Sequence, residues 1–220
     1  MTRSVVQVHI SPPFLYMGCA KASVFATPPL KIGEKPFFVF DIIDDMRLIF
    51  VRHGQTDTNL IEMAGKPILD DNASLNEEGL KQAQRVAEEL KGEKVDVIFA
   101  SPLKRAMETA AEIARYHDAP VLAMDGLRER KLGTLVGERL QAAFDFDNVV
   151  RADDIESVDA FFERVYAAID QIVASGYENV VVVSHGGVSH VFRAYFNKLE
   201  WKGNLRVEHL KNCEYKIYEI

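Results

Sequence analysis

The sequence predicts a three-layer α/β/α sandwich with a mostly parallel central sheet, because segments typical of buried strands alternate with segments of helical spacing. Residues 48–51, 95–100 and 180–183 are short apolar runs of the kind found in strands covered on both faces. Residues 77–91 and 157–174 instead repeat apolar side chains at helical intervals, which indicates amphipathic helices. Strands linked by helices favour a parallel sheet with helices on both of its faces.

The remaining elements continue this alternation. After the second strand, apolar residues at helical spacing through Ala114 predict another helix, and residues 121–124 predict a short third strand. A helix through Tyr195 follows the valine-rich run, and residues 213–220 alternate well enough to form a final strand. No internal repeat or low-complexity tract interrupts this order, so residues 46–220 are predicted to form one domain.

Composition and charge exclude several classes of protein. The 220 residues are 48% hydrophobic and 27% charged, which rules out a largely disordered, collagen-like or disulfide-rich chain. No run approaches the roughly 20 apolar residues of a membrane helix, so no membrane partner is expected. The net charge of −7 argues against nucleic acid as a partner. Cys19 and Cys213 lie far apart, which suggests a reduced, cytoplasmic protein, and none of these features specifies an oligomeric state.

Residues 1–45 differ from the rest of the chain. Residues 1–40 carry four basic residues against one acidic residue, and two proline pairs break any strand or helix periodicity. The apolar stretches are too short and too interrupted for a secretory signal. Two interpretations remain: an organellar transit segment, which the low arginine content disfavours, or an extension upstream of a natural start at Met46, which we favour.

Polar or glycine-bearing segments follow three of the predicted strands, at residues 52–56, 101–105 and 184–187. Ligands of open α/β sheets bind beyond the carboxyl ends of the strands, so a parallel sheet would bring these segments to one crevice. The crevice would then contain two arginines and two histidines, namely Arg52, Arg105, His53 and His185.

Such a crevice suits a phosphate. An arginine presents a planar fork of donors that matches phosphate oxygens and stays charged at any relevant pH. A neutral imidazole is a competent nucleophile, and an adjacent cationic histidine can hold the transferring group. The glycines after His53 and His185 would let the backbone approach the ligand, and backbone N–H groups would join the site where the following helix begins.

Four motifs of the predicted domain occur in a recognisable order. They are Arg52-His53-Gly54 followed by Thr56 and Asn59, residues 101–106 followed by Thr109-Ala110, Leu127-Arg128-Glu129 with Gly133 and Gly137, and residues 184–187. Together they resemble the signature motifs of the histidine phosphatase superfamily, also called phosphoglycerate mutase-like. The resemblance covers residues 46–220 and leaves residues 1–45 unmatched.

The resemblance implies a phosphatase that needs neither a metal ion nor another cofactor. His53 would attack phosphorus and become a transient phosphohistidine. Arg52, Arg105 and His185 would hold the phosphate oxygens and stabilise the charge that spreads over them in the transition state. Glu129 would protonate the leaving oxygen and then activate the water that releases phosphate.

The resemblance also implies weaker contacts to the substrate from Asn59, Thr56 and Gly186. Asn59 has an alternative role, because its side chain could instead cap the segment after the loop. Glu129 lies in a charged run that could be only a solvated loop. His185 and His190 invite a metal site, but five residues is not the spacing that places two side chains on one helix face, so no metal is expected.

The match departs from the family's phosphatases and from its mutases in ways that bear on substrate. Many of the family's phosphatases carry tryptophan and glutamate where this chain has Leu135 and Val136. At these positions this chain is closer to the mutases. However, residues 138–156 hold few basic residues to grip a substrate carboxylate, and the long insertion that covers a mutase site is missing. We therefore predict a phosphatase for a small phosphorylated metabolite, with a phosphoglycerate mutase-type enzyme or a phosphoprotein phosphatase as alternatives.

Overall fold

The structure is a computed structural model that describes residues 46–59, 72–133, 153–199 and 210–220. The predicted extension, residues 1–45, lies outside the described residues, as do Leu135, Val136 and Gly137 of the third motif. No helix in the described ranges is long and apolar enough to cross a membrane.

In the described ranges, five strands form one sheet in the order β3-β2-β4-β1-β5. They are β1 (Arg47–Arg52), β2 (Val97–Ala100), β3 (Val121–Ala123), β4 (Asn179–Ser184) and β5 (Tyr215–Glu219). The pairs β3–β2, β2–β4 and β4–β1 are parallel, and only β5 runs antiparallel to its neighbour β1, at the edge of the sheet. The predicted mostly parallel sheet is therefore confirmed.

Four helices and a 3-10 turn accompany the sheet in the described part of the chain. They are α1 (Glu77–Leu90), α2 (Lys104–Ala114), the turn Asp125–Leu127, α3 (Val158–Val173) and α4 (Gly186–Phe196). Polar caps define two of the helix starts: the Asn76 side chain accepts from the backbone N–H of Gly79, and the Ser157 hydroxyl accepts from that of Ala160.

Both faces of the sheet are apolar and buried. Alternate residues of a strand point to opposite sides of the sheet, so each apolar run places side chains on both faces. Leu48 and Phe50 of β1 pack with α3 and α4 in one core cluster. Ile49 and Val51 pack with α1 and α2 in the other. The four valines of β4 divide between the two clusters in the same way. Helices thus cover each face, which confirms the three-layer sandwich.

Two predicted strand starts are wrong by two residues. The second strand begins at Val97 rather than at residue 95, because the side chain of Asp96 accepts a hydrogen bond from the backbone N–H of Asn179 at 2.8 Å just before the ladder starts. The last strand begins at Tyr215, because Cys213 has a φ of 56° and turns the chain instead of extending it.

The register of the parallel strands brings their carboxyl ends level. Arg52 of β1 pairs with Ser184 of β4, and Ala100 of β2 pairs with Val183. The residues that follow each strand, at positions 53, 101 and 185, therefore meet at one edge of the sheet. The predicted convergence of three strand ends is confirmed.

Candidate active site

Two histidines meet where β1 and β4 end. His53 is 3% exposed and His185 is fully buried. Their ring centroids lie 5.0 Å apart with the planes at 62°. Both positions follow directly from the strand register, because each histidine is the first residue after its strand.

Hydrogen bonds fix the tautomer of His53. Its Nδ1 lies 2.7 Å from the carbonyl oxygen of Gly54, which can only accept, so Nδ1 carries the proton. Its Nε2 lies 3.1 Å from Nε of Arg105, which can only donate, so Nε2 is the unprotonated nitrogen. The ring therefore presents an Nε2 lone pair toward Arg105.

Arg105 is held in place from the start of α2. Its carbonyl oxygen accepts a hydrogen bond from the Thr109 hydroxyl at 2.8 Å, and that hydroxyl oxygen accepts in turn from the backbone N–H of Gly54 at 3.1 Å. Thr109 thus ties the arginine's helix to the loop that carries His53. This buried threonine therefore links the second motif to the first.

His185 is oriented by Ser101, the first residue after β2. Its Nε2 lies 2.7 Å from the Ser101 hydroxyl oxygen, which also accepts from the backbone N–H of Leu103 at 3.3 Å. The Ser101 hydroxyl donates its own proton to His185 Nε2. Nε2 is then the unprotonated nitrogen, so the ring proton lies on Nδ1. Nδ1 is buried and has no hydrogen-bond partner among the described residues, so it is left to donate to a ligand.

Arg52, the last residue of β1, lies beside the start of α4. One of its terminal nitrogens donates to the carbonyl oxygen of Leu210 at 2.6 Å. A Cβ at Gly186 would stand 3.4 Å from the guanidinium carbon, an ordinary van der Waals contact, so the guanidinium lies directly beside the first turn of α4.

Glu129 reaches the same helix start from the opposite side. Its two carboxylate oxygens accept from the backbone N–H groups of Gly187 and Arg130, each at 2.9 Å. A Cβ at Gly187 would overlap with the carboxylate, so only glycine permits this contact. The solvated-loop alternative for Glu129 is thereby disfavoured, and one backbone N–H expected for the ligand is occupied by this side chain.

Asn59 and Thr56 are bonded to each other. The Thr56 backbone N–H donates to the Asn59 side-chain oxygen at 3.2 Å, and the Asn59 backbone N–H donates to the Thr56 hydroxyl oxygen at 3.1 Å. This reciprocal pair resembles a helix cap and supports the capping alternative for Asn59. Asn212 joins them to the site, because its side-chain amide donates to the His53 carbonyl oxygen at 2.9 Å and to the Asn59 side-chain oxygen at 3.4 Å.

Burial and neighbouring arginines lower the pKa of both histidines. Desolvation is the main cause for His53, and the charges of Arg105 and Arg52 add to it, so its pKa lies well below the ordinary value. The same burial places the pKa of His185 well below the ordinary value, and Arg105, His53, Arg52 and, least of all, Arg164 add to it. Both rings are thus neutral near pH 7. This direction argues against a cationic second histidine in the ligand-free site and favours a neutral Nδ1–H as the donor.

Sequence reasoning assigned no role to Ser101, Thr109, Gly187 or Asn212. Ser101, Thr109 and Gly187 lie inside the quoted motifs, so their positions were a usable signal. Asn212 lies in a segment without a motif, and nothing in the sequence singles it out. Among the described residues, no three histidine, cysteine or carboxylate side chains group in a way that could hold a metal ion.

Comparison with known proteins identifies the family. Residues 48–220 match the sequence profile of the histidine phosphatase superfamily (branch 1). Phosphoglycerate mutase-like protein 4 of Arabidopsis thaliana is 34% identical over 202 residues, which cover 85% of this chain and 85% of that protein. A metal-independent phosphoserine phosphatase of Arabidopsis thaliana is 33% identical over 190 residues, covering 77% of this chain and 79% of its own.

The fold agrees with solved structures of this kind. A mycobacterial glucosyl-3-phosphoglycerate phosphatase superposes with a TM-score of 0.67 and 25% identity, covering 79% of this chain and 89% of that one. The sequence profile covers all four motifs, and the strand ends that carry them meet as described above. The chain therefore belongs to the histidine phosphatase superfamily.

Proposed function

We propose that this chain hydrolyses phosphate monoesters of small metabolites through a phosphohistidine formed on His53. The observation that carries the proposal is the state of His53 Nε2, an unprotonated nitrogen of a buried ring that lies 3.1 Å from an arginine donor. A neutral imidazole nitrogen beside a guanidinium is a nucleophile situated where a phosphate would be held. Membership of the histidine phosphatase superfamily supports the same chemistry.

In the first step, the phosphoryl group passes from the ester to His53. The Nε2 lone pair forms the N–P bond while the bond between phosphorus and the ester oxygen breaks. Arg105, Arg52 and the Nδ1–H of His185 would hold the phosphate oxygens, where charge accumulates in the transition state. Glu129, in its protonated form, would give its proton to the leaving oxygen, so the alcohol departs neutral.

In the second step, water releases the phosphate. Glu129, now a carboxylate, would take a proton from the water whose oxygen attacks phosphorus, and the N–P bond returns its electron pair to His53 Nε2. The products are inorganic phosphate and the starting enzyme, with Glu129 protonated again. The hydrogen bond from Nδ1 of His53 to the Gly54 carbonyl oxygen, 2.7 Å long, would persist and stabilise positive charge on the phosphorylated ring.

The relatives support a small, phosphorylated substrate. One is named a phosphoserine phosphatase and another a glucosyl-3-phosphoglycerate phosphatase, and both names describe phosphate esters of small carboxylic acids. We therefore propose a small phosphorylated metabolite rather than a phosphoprotein as the substrate. The arginines and histidines described above would bind its phosphate group.

The alternative is a mutase, because one relative is named phosphoglycerate mutase-like. A mutase must keep the phosphoryl group on histidine while its substrate reorients, so it has to exclude water and hold a carboxylate with extra cations. Residues 145–159 of this chain contain six acidic residues against one arginine, so this stretch offers few cations to hold a substrate carboxylate. Hydrolysis is therefore expected to exceed transfer between hydroxyl groups.

A panel of phosphate monoesters, assayed for free phosphate with wild type and His53→Ala, tests the proposal. We expect wild-type turnover that a chelator leaves unchanged, no turnover by His53→Ala, and an acid-labile phosphoryl group trapped on wild-type protein by alkaline quenching. Full activity in His53→Ala would contradict the nucleophile assignment. Rapid isomerisation of 3-phosphoglycerate that depends on a bisphosphate primer, with little free phosphate, would favour the mutase instead.

A further inference from the structure

Glu129 is located by backbone contacts at both of its carboxylate oxygens, so its position depends on the loop that carries it. We call residues 126–131 the acid loop. One side of this loop is attached to the sheet, because the Ser184 hydroxyl donates to the carbonyl oxygen of Leu127 at 2.7 Å and Leu127 is fully buried. The other side of the loop faces the N-terminal half of α3.

Arg164, on α3, binds the acid loop from that side. One terminal nitrogen donates to the carbonyl oxygens of Gly126 and Arg128, at 2.9 and 3.1 Å. The remaining donors form a two-pronged pair with the carboxylate of Glu156, with both nitrogen–oxygen distances at 2.8 Å. A planar guanidinium can satisfy all four acceptors at once, which a lysine cannot do.

Glu156 completes the attachment of the acid loop. Its carboxylate also accepts from the backbone N–H of Lys131 at 3.2 Å, and its own N–H donates to the Lys131 carbonyl oxygen at 2.9 Å. Its carbonyl oxygen accepts from Nε of Arg130 at 2.8 Å. The side chains of Arg164 and Glu156 are only 28% and 16% exposed, so this ion pair is partly shielded from water.

We propose that Arg164 and Glu156 are positioning residues for the proton donor, a role that rests on the proposed function. They bond the acid loop at residues 126, 128 and 131, on both sides of Glu129. The charge of Arg164 also makes a small contribution to the lowered pKa of His185, which Arg164→Lys retains. Loosening this attachment moves the Glu129 carboxyl away from the leaving oxygen and leaves the hydrogen bonds that position His53, Arg105 and His185 in place.

A defect in the proton donor has a distinctive kinetic signature. p-Nitrophenyl phosphate releases a stable anion, so its leaving oxygen needs little protonation. Phenyl phosphate has nearly the same shape, but its leaving oxygen needs more. The ratio kcat/KM reports the steps up to phosphoryl transfer, so slow release of phosphate from His53 does not mask the difference. Loss of fold or of phosphate binding lowers kcat/KM for both esters equally.

We expect Arg164→Met to lower kcat/KM for phenyl phosphate about tenfold and for p-nitrophenyl phosphate by less than about threefold. Arg164→Lys should restore part of the difference, because it keeps the charge but not the fork. Arg115→Met is the matched control, since Arg115 pairs with Glu112 in an exposed contact on α2 and should leave both rates unchanged.

If thermal unfolding shows that Arg164→Met does not fold, Glu156→Gln provides the same test. Its amide oxygen can still accept from the backbone N–H of Lys131, while the ion pair with Arg164 is lost. We expect the same selective loss with phenyl phosphate. An equal loss with both esters, or no loss in folded variants, would overturn the positioning role. A wild-type protein without activity toward either ester would instead count against the proposed function, so the two failures are distinguishable.

Discussion

Nε of Arg105 lies 3.1 Å from Nε2 of His53, so the lone pair of the proposed nucleophile is engaged by the residue proposed to hold the phosphate. A phosphate offers the guanidinium charged oxygen acceptors that it binds more strongly than a neutral nitrogen. Substrate binding would therefore draw Arg105 off Nε2 and free the lone pair for attack. Arg105 would thus have two functions, one before and one after the substrate binds.

Replacing Arg105 tests both functions. We expect Arg105→Gln to lower kcat/KM by about 10²–10³-fold, the usual effect of losing one donor to a transition-state oxyanion. The acidic limb of the pH profile should also move to higher pH. Burial is the main reason that the pKa of His53 lies well below 6.5, and Arg105 is the largest charge contribution, so its removal raises that pKa. His53 then takes up a proton, and stops reacting, at a higher pH than in wild type.

The neighbouring residue Lys104 offers a control for this change. Its side chain is exposed, so Lys104→Gln removes a charge one residue away without changing a contact to His53. We expect its pH profile to match that of wild type. An acidic limb that stays in place in Arg105→Gln would show that the charge of Arg105 does not lower the His53 pKa.

The sequence was sufficient for the layers of the fold and for the residues at the strand ends. Runs such as residues 180–183 can be buried only if both faces of the sheet are covered, and a residue directly after such a run must lie at the sheet edge. The strand order could not be predicted, because it depends on pairing between residues 47–52 and 179–184, which are far apart in the chain.

The supporting contacts of the site were less predictable. Ser101 stands in a quoted motif, but its effect works through the tautomer of His185 and shows only when the hydrogen bonds are known. Arg164 and Glu156 resemble ordinary charged residues around an amphipathic helix. Their importance comes from the acid loop that packs against them, and no local sequence pattern predicts that contact.

Ser101 provides the second prediction. We expect Ser101→Ala to lower kcat/KM several-fold, because His185 Nε2 loses the hydroxyl that keeps the ring proton on Nδ1, facing the ligand. Nitrogen NMR of selectively labelled histidine should show a single Nδ1–H tautomer of His185 in wild type and a mixture in Ser101→Ala.

Ser189→Ala is the matched control for that change. The Ser189 hydroxyl is also buried, but it donates to the carbonyl oxygen of Gly186 rather than to an imidazole. We expect it to leave the His185 tautomer unchanged. An identical tautomer mixture in wild type and Ser101→Ala would remove the reason for assigning Ser101 this role.

The third prediction concerns the segment before Met46. Residues 1–40 carry four basic residues against one acidic residue and show no strand or helix periodicity, whereas the family profile matches residues 48–220. A protein consisting of residues 46–220 should therefore keep the melting temperature and the kcat/KM of the full chain. Thermal unfolding and steady-state kinetics of both proteins provide the measurement. A clear loss of soluble yield or activity on truncation would show that residues 1–45 contribute to the domain.

The last prediction links the buried histidines to stability. Both have folded-state pKa values well below the value of about 6.5 that they have when unfolded, mainly because of burial. Below pH 6.5 the unfolded chain takes up protons that the folded chain does not, so the free energy of unfolding falls as the pH falls toward the folded-state values. Each neutral histidine contributes a slope of up to about 1.4 kcal/mol per pH unit in this window.

Urea unfolding of wild type and His185→Gln between pH 7 and pH 5 measures that slope. Glutamine has no proton to gain in this range, so the variant should lose about half of the histidine contribution to the slope. The carboxylates titrate in both proteins, so the difference between the two slopes reports the histidine contribution. Inorganic phosphate should raise the stability of wild type more than that of the variant, because the Nδ1–H of His185 is proposed to donate to it. Parallel pH dependences of the two proteins would mean that His185 is protonated as easily in the folded state as in the unfolded one, and the neutral-donor assignment would have to be abandoned.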